Sequence, residues 1–109
     1  PIDGDSSNSA INQLLNHAMI NAGCEPISKG GEEASIRQAG KNLQHKGNPA
    51  ADTGDFNDRY SGNMRIDYVL PSANLKVVSC GVYWPLPDEA GSELIDVSDH
   101  RLVWVDIQL

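Results

Sequence analysis

Apolar residues recur at helical spacing near the start of the chain. Ile11, Leu14, Leu15, Ala18 and Met19 stand at i, i+3, i+4, i+7 and i+8. This predicts an amphipathic helix over about residues 9–21 that ends near Gly23. Asp5-Ser6-Ser7-Asn8-Ser9 offers N-cap candidates ahead of it. From 24 to 62 the periodicity disappears, and Gly30-Gly31, Gly40, Gly47-Asn48-Pro49 and Gly54 punctuate a polar stretch. That pattern reads as a long Gly-rich loop region of the kind that often carries function. A short helix near Gly31–Gly40 has little support from the pattern.

The last part of the chain changes period. Arg65 to Leu70 is strand-like and stops at Pro71, and Pro71-Ser72-Ala73-Asn74 reads as a turn. A second strand is expected over about 75–84, with Val78, Cys80, Val82 and Trp84 alternating onto one face. A third is expected over about 101–109, with Val103, Val105, Ile107 and Leu109 sharing a face. The short turn makes the first two strands antiparallel neighbours. Leu102 and Trp104 oppose Val103 and Val105, so the third strand reads as the middle of a two-layered core. The expected fold is therefore α+β: mainly antiparallel strands, one amphipathic helix and a long loop. It has more sheet face than helix to cover it. The missing cover is expected from another part of the same protein or from an oligomer partner.

A length of 109 residues allows one domain, and no apolar run is long enough to span a bilayer. The first residues carry neither a basic nor an apolar leader segment. Fifteen acidic against eight basic residues give a net charge of -7, which disfavours a basic nucleic-acid module. It does not exclude a site where bound cations offset carboxylates. Cys24 and Cys80 are the only cysteines. A single disulfide and two buried thiols are both open readings, so the sequence does not fix the redox compartment. Both tryptophans, Trp84 and Trp104, are expected in the core.

Two positions carry candidate chemistry. Ser98-Asp99-His100 stands just before the last strand, where Asp99 and His100 point to opposite sides of the chain. Asp67 interrupts the apolar run Ile66-Asp67-Tyr68-Val69-Leu70. A carboxylate there costs free energy unless paired, and an imidazole is a natural partner. Taken together, Arg65-Ile66-Asp67-Tyr68-Val69-Leu70-Pro71 and, further on, Ser98-Asp99-His100-Arg101-Leu102-Val103 resemble the C-terminal signature of the endonuclease/exonuclease/phosphatase superfamily. These are the DNase I-like metallohydrolases. The resemblance covers roughly residues 60–109 and looks closest to a bacterial branch.

The resemblance implies the C-terminal part of a two-layer DNase I-like sandwich and of a metal-dependent phosphoesterase. His100 would contact the scissile phosphate, Asp67 would orient His100 and keep it protonated, and Asp99 would be a ligand of Mg²⁺ or another divalent cation such as Mn²⁺ or Ca²⁺. The substrate would be a phosphate ester, with nucleic acid among the candidates. The family also uses an early Asn, a metal-binding Glu and a Gly-Asp-X-Asn motif at the end of a strand. Gly54-Asp55-Phe56-Asn57 looks like that motif but stands after the polar Asn48–Thr53 rather than an apolar strand, so it reads as a decoy. Pro1 to Ser6 is similar to the segment that comes after the true motif, which would place residue 1 just past a catalytic strand. Little or no hydrolase activity is then expected of these 109 residues alone.

Other constellations are weaker. Asp3-Gly4-Asp5 lacks the spacing of a calcium loop, Asp52, Asp55 and Asp58 read as a solvated acidic loop, and His17 reads as a surface or packing residue. His45 has no reading from its surroundings. A non-catalytic acidic binding or scaffold module on the same fold is the alternative function, and an unrelated α+β domain is a third. The Asn- and Gly-rich, lysine-poor composition would suit an exported bacterial protein.

Overall fold

The computed structural model describes residues 7–109. The candidate calcium loop, the caps Asp5 and Ser6, and the segment Pro1 to Ser6 lie outside the described residues or at their margin. The elements are helix α1 (Ser9–Leu15), helix α2 (Lys29–Gln38), 3-10 helices at Gly40–Gln44 and Pro49–Ala51, strand β1 (Lys76–Tyr83), a 3-10 helix at Ser92–Val97 and strand β2 (Leu102–Gln108).

The expected first helix is shorter than its apolar spacing suggested. It ends at Leu15 with Asn16 as its C-cap, and none of its residues is buried. A helix this short has little stability of its own without a packed face. The His17 ring accepts from the Met19 amide. Beyond it, Ile20 bridges Ser72 and the Asn21 amide donates to the Pro71 carbonyl. Those contacts draw residues 20–21 out of helical geometry and toward the 71–75 turn.

The stretch 24–62 is not one loop. Ser28 caps α2, its hydroxyl accepting from the Gly31 amide at 3.0 Å. Glu32 stands in the first turn and Arg37 in the last, complementing the helix dipole. Arg37 also reaches Glu33 at 2.8 Å. The glycines that looked like helix breakers are packing residues. The Gly30 amide donates to the Trp84 carbonyl at 3.0 Å, and a Cβ on Gly30 would overlap the Trp84 carbonyl oxygen. A Cβ on Gly31 would stand 2.7 Å from the Pro49 carbonyl oxygen. The helix stops where Ala39 and Gly40 take positive φ, 54° and 61°. Gly30→Ala is accordingly expected to destabilise the fold by about 3 kcal/mol, because the helix must retreat from backbone it touches. A shift of the urea midpoint with unchanged slope would show it.

The sheet also departs from expectation. β1 and β2 pair antiparallel with each other, Lys76 opposite Gln108 and Tyr83 opposite Leu102. Residues 65–70 are not a ladder strand, so the expected pairing of that segment with 75–84 does not occur. Its amides turn to a side chain instead: those of Ile66 and Asp67 both donate to the Thr53 hydroxyl. A register shift between Val77 and Ser79 makes Val78 the extra residue of a bulge. That breaks the expected alternation and leaves Val78 exposed while Val82 is buried. Leu102 is exposed and Trp104 is 39% exposed, against 3% for Trp84. β2 is therefore not a central strand among the described residues, and only one of the two tryptophans is in the core.

That core is small. Ala34 of α2, Val82 and Trp84 pack together with Ile95 beside them. Asn63, Thr53 and Asp52 are the largest fully buried side chains, so much of the interior is polar. The structure closes the question of the thiols: Cys24 and Cys80 form a disulfide, with their Cα atoms 6.3 Å apart. It ties the segment ahead of α2 to the middle of β1.

Candidate functional site

Three short segments build the site, and the middle one holds the other two. Gly54 bridges Met64 on one side and His100 on the other. The Thr53 amide donates to the Met64 carbonyl at 3.0 Å, and the Thr53 carbonyl accepts from the Arg101 amide at 2.7 Å. The Asp55 amide donates to the Asp99 carbonyl at 2.8 Å. Residues 53–55 therefore fix 64–67 and 99–101 in register, and Asp67 and His100 meet. His100 Nδ1 lies 2.9 Å from Asp67 Oδ2 and 3.1 Å from Oδ1. An ionised carboxylate only accepts, so Nδ1 carries the proton in this contact and Nε2 is left for another partner. The imidazole is 49% exposed and the carboxylate 35%. Asp67 is thus half-buried in an irregular segment rather than buried within a strand.

The imidazole is braced from two further directions. The His100 amide donates to the Ser98 hydroxyl at 3.0 Å. The Phe56 ring stands edge-on to the imidazole, centroids 6.0 Å apart and planes at 84°. Gly54 makes room for Phe56, since a Cβ on Gly54 would overlap that ring.

Behind His100, Arg101 is buried and organises the loop. Its Nη1 donates to the Ser98 carbonyl at 2.7 Å, the Ile95 carbonyl at 3.2 Å and the His100 carbonyl at 3.3 Å. Its Nη2 donates to Asp55 Oδ2 at 3.2 Å, and the guanidinium stacks 4.4 Å from the Trp84 ring centroid. Burial lowers the Arg101 pKa below its ordinary value, and the negative charges of Asp55, Asp96 and Asp99 work against that fall. The guanidinium is thereby committed to structure. Asp55 is also held by Gln38 Nε2 at 3.0 Å, and Gln38 Oε1 accepts from Asn63 at 2.7 Å. This polar chain links α2 to the site.

The Gly54-Asp55-Phe56-Asn57 sequence comes after a 3-10 turn, not a strand. Its Asp55 is taken by Arg101 and Gln38, and its Asn57 side chain accepts from the Arg59 amide. Asp52, Asp55 and Asp58 do not form a solvated acidic loop: Asp52 is buried and Asp58 accepts from Asn42 at 3.1 Å. His45 lies near Gly62. Sequence reasoning missed Thr53, Phe56 and Arg101 as residues that shape the site. No periodicity marks Thr53 or Phe56, and Arg101 looked like an ordinary strand residue.

Asp99 is exposed beside His100. Among the described residues, no group of three or more His, Cys, Asp or Glu side chains is arranged to hold a metal ion. Mg²⁺ is usually bound by one or two carboxylates together with water and phosphate oxygens. Asp99 therefore fits as one ligand of such an ion and not as a whole site. His100 also lines, with Ser98 and Arg101, a hollow of about 250 Å³ whose apolar side chains include Tyr83, Leu94, Val97 and Leu102.

The family model described as Endonuclease/Exonuclease/phosphatase family matches residues 3–100. The chain belongs to this family. No curated protein and no solved structure matches it. As a member of the endonuclease/exonuclease/phosphatase family, the chain is a nuclease- or phosphatase-type phosphoesterase domain with an α+β fold. Members of the family generally depend on a divalent metal. Among the described residues no helix is long and apolar enough to cross a membrane.

Proposed function

We propose that this chain is the part of a Mg²⁺-dependent phosphoesterase that contacts the scissile phosphate, within a two-layer DNase I-like sandwich. The observation that carries the reading is the Asp67–His100 pair, 2.9 Å apart in a chain of this family. Asp67 holds Nδ1–H and faces the ring with a negative charge. The ring is thereby oriented with Nε2 outward, where in the doubly protonated imidazolium its N–H donates to a non-bridging phosphate oxygen. That donor offsets the charge that develops as water attacks phosphorus in line with the leaving oxygen. Asp99 would supply one carboxylate to the cation, whose chemistry is to stabilise the pentavalent phosphorus and the departing oxygen. The hollow beside His100 gives an organic group esterified to the phosphate an apolar surface to rest on. The Cys24–Cys80 bond supports an oxidising compartment. The exposed face of β2 would be covered by another part of the same protein or by a second copy.

The base that accepts the water proton and the remaining cation ligands are not among the described groups gathered at His100. Residues 1–109 alone are therefore expected to hydrolyse bis(p-nitrophenyl) phosphate no faster than buffer with Mg²⁺. The protein as encoded by its gene is expected to be active with Mg²⁺ and silent with EDTA. Magnesium-dependent turnover by residues 1–109, abolished by His100→Ala, would overturn the assignment of an incomplete site. An encoded protein silent on phosphomonoesters and diesters alike, with and without metal, would favour the acidic binding or scaffold module.

A further inference from the structure

We propose that Thr53 is the positioning residue of the Asp67–His100 pair. The inference rests on the phosphoesterase reading for its functional meaning, but its geometry stands apart from it. Thr53 is 1% exposed. Its hydroxyl oxygen accepts from the Ile66 and Asp67 amides, both at 3.0 Å. A hydroxyl oxygen has two lone pairs, and both are used here. Its carbonyl accepts from the Arg101 amide, next to His100, at 2.7 Å. One residue thus grips the backbone of Asp67 with its side chain and the backbone beside His100 with its main chain.

The grip matters because the segment carrying Asp67 belongs to no ladder strand. In a regular sheet the amides of Ile66 and Asp67 would be held by a neighbouring backbone. Here a side-chain oxygen takes that place. Thr53→Val keeps the shape and removes the acceptor, leaving two half-buried amides without their partner. Such a penalty is relieved only by moving the segment toward water. A shift of about 1 Å is enough to break the contact between Asp67 and His100.

The test reads the His100 ring directly. Nitrogen-detected NMR of the imidazoles, at one fixed pH for all variants, reports which ring nitrogens bear a proton. The His100 signals are assigned by their loss in His100→Ala. The wild-type chain and Thr53→Ser are expected to keep the proton on Nδ1. Thr53→Val is expected to lose that tautomer while near-UV circular dichroism shows the tertiary fold retained. In the encoded protein, Thr53→Val is expected to lower kcat at least tenfold with KM little changed, and Thr53→Ser to restore most of it.

If Thr53→Val does not fold, Thr53→Ala, which leaves room for a water, carries the same expectation. Retention of the Nδ1 tautomer in a folded Val or Ala variant would overturn the proposal and leave Thr53 a purely structural residue. Full activity of His100→Ala would instead sink the phosphoesterase reading, whatever the tautomer does.

Discussion

His100→Ala in the encoded protein is expected to lower kcat/KM on a phosphodiester by about three orders of magnitude. The variant removes the ring nitrogen, Nε2, that the Asp67 contact leaves free for the phosphate. Arg101, next to His100 in sequence, does not take its place, because its Nη1 is on three carbonyls and its Nη2 on Asp55. Asp67→Asn is expected to cost less, about ten- to a hundredfold. An amide oxygen can still accept from Nδ1–H, but the negative charge facing the ring is gone. The order of the two effects is the informative part. Equal losses would mean that Asp67 acts in the reaction independently of His100, and activities within threefold of wild type would remove both residues from the site. Because His100 is half-exposed, its replacement should leave the unfolding midpoint nearly unchanged, so the activity loss can be read without correction for folding.

Reducing the Cys24–Cys80 bond is expected to destabilise the chain by about 4 kcal/mol. The bond spans 56 positions of sequence, and closing a loop of that size removes conformational freedom from the unfolded chain. The interior leads to the same conclusion. Ala34, Val82 and Trp84 with Ile95 are a small apolar cluster, and the fully buried Asn63, Thr53 and Asp52 add hydrogen bonds rather than apolar area. A domain of this length with so little apolar core has only a few kcal/mol in reserve. Urea melts with and without reductant, and of Cys24→Ala/Cys80→Ala, would measure the loss. A midpoint that does not move would show that the segment ahead of α2 is held to β1 by other contacts, such as the Val82 amide on the Ile27 carbonyl at 3.1 Å. The effect also bears on activity, since Trp84 sits between β1 and Arg101, which holds the His100 loop.

Where the sequence was informative, it was so through local chemistry. The alternation of Val103, Val105 and Ile107 announces β2, and the valine-rich run ahead of Trp84 announces β1. Asp67 in an apolar run calls for a partner, and the family resemblance names it as His100, thirty-three positions away. A polar group on an apolar background demands a partner, and the number of candidates is small. Where it misled, distance was the reason. Gly30-Gly31 has the local signature of a breaker, and only the backbone of Trp84 and Pro49 lying against it makes those glycines helix-packing residues. The bulge at Val78 depends on the register of β2, which no run of residues 75–84 contains.

By itself, then, the sequence determined the family signature, the two β segments and the identity of the Asp67–His100 pair, because each rests on residue types at short or motif-like spacing. The tertiary structure alone decided that residues 65–70 hang from a threonine hydroxyl instead of a strand, that Asp55 serves Arg101, and that the two cysteines join. Those outcomes depend on which groups meet after the chain has closed on itself. A hydrogen bond or a disulfide is set by the spatial neighbour, and no pattern along the chain names that neighbour.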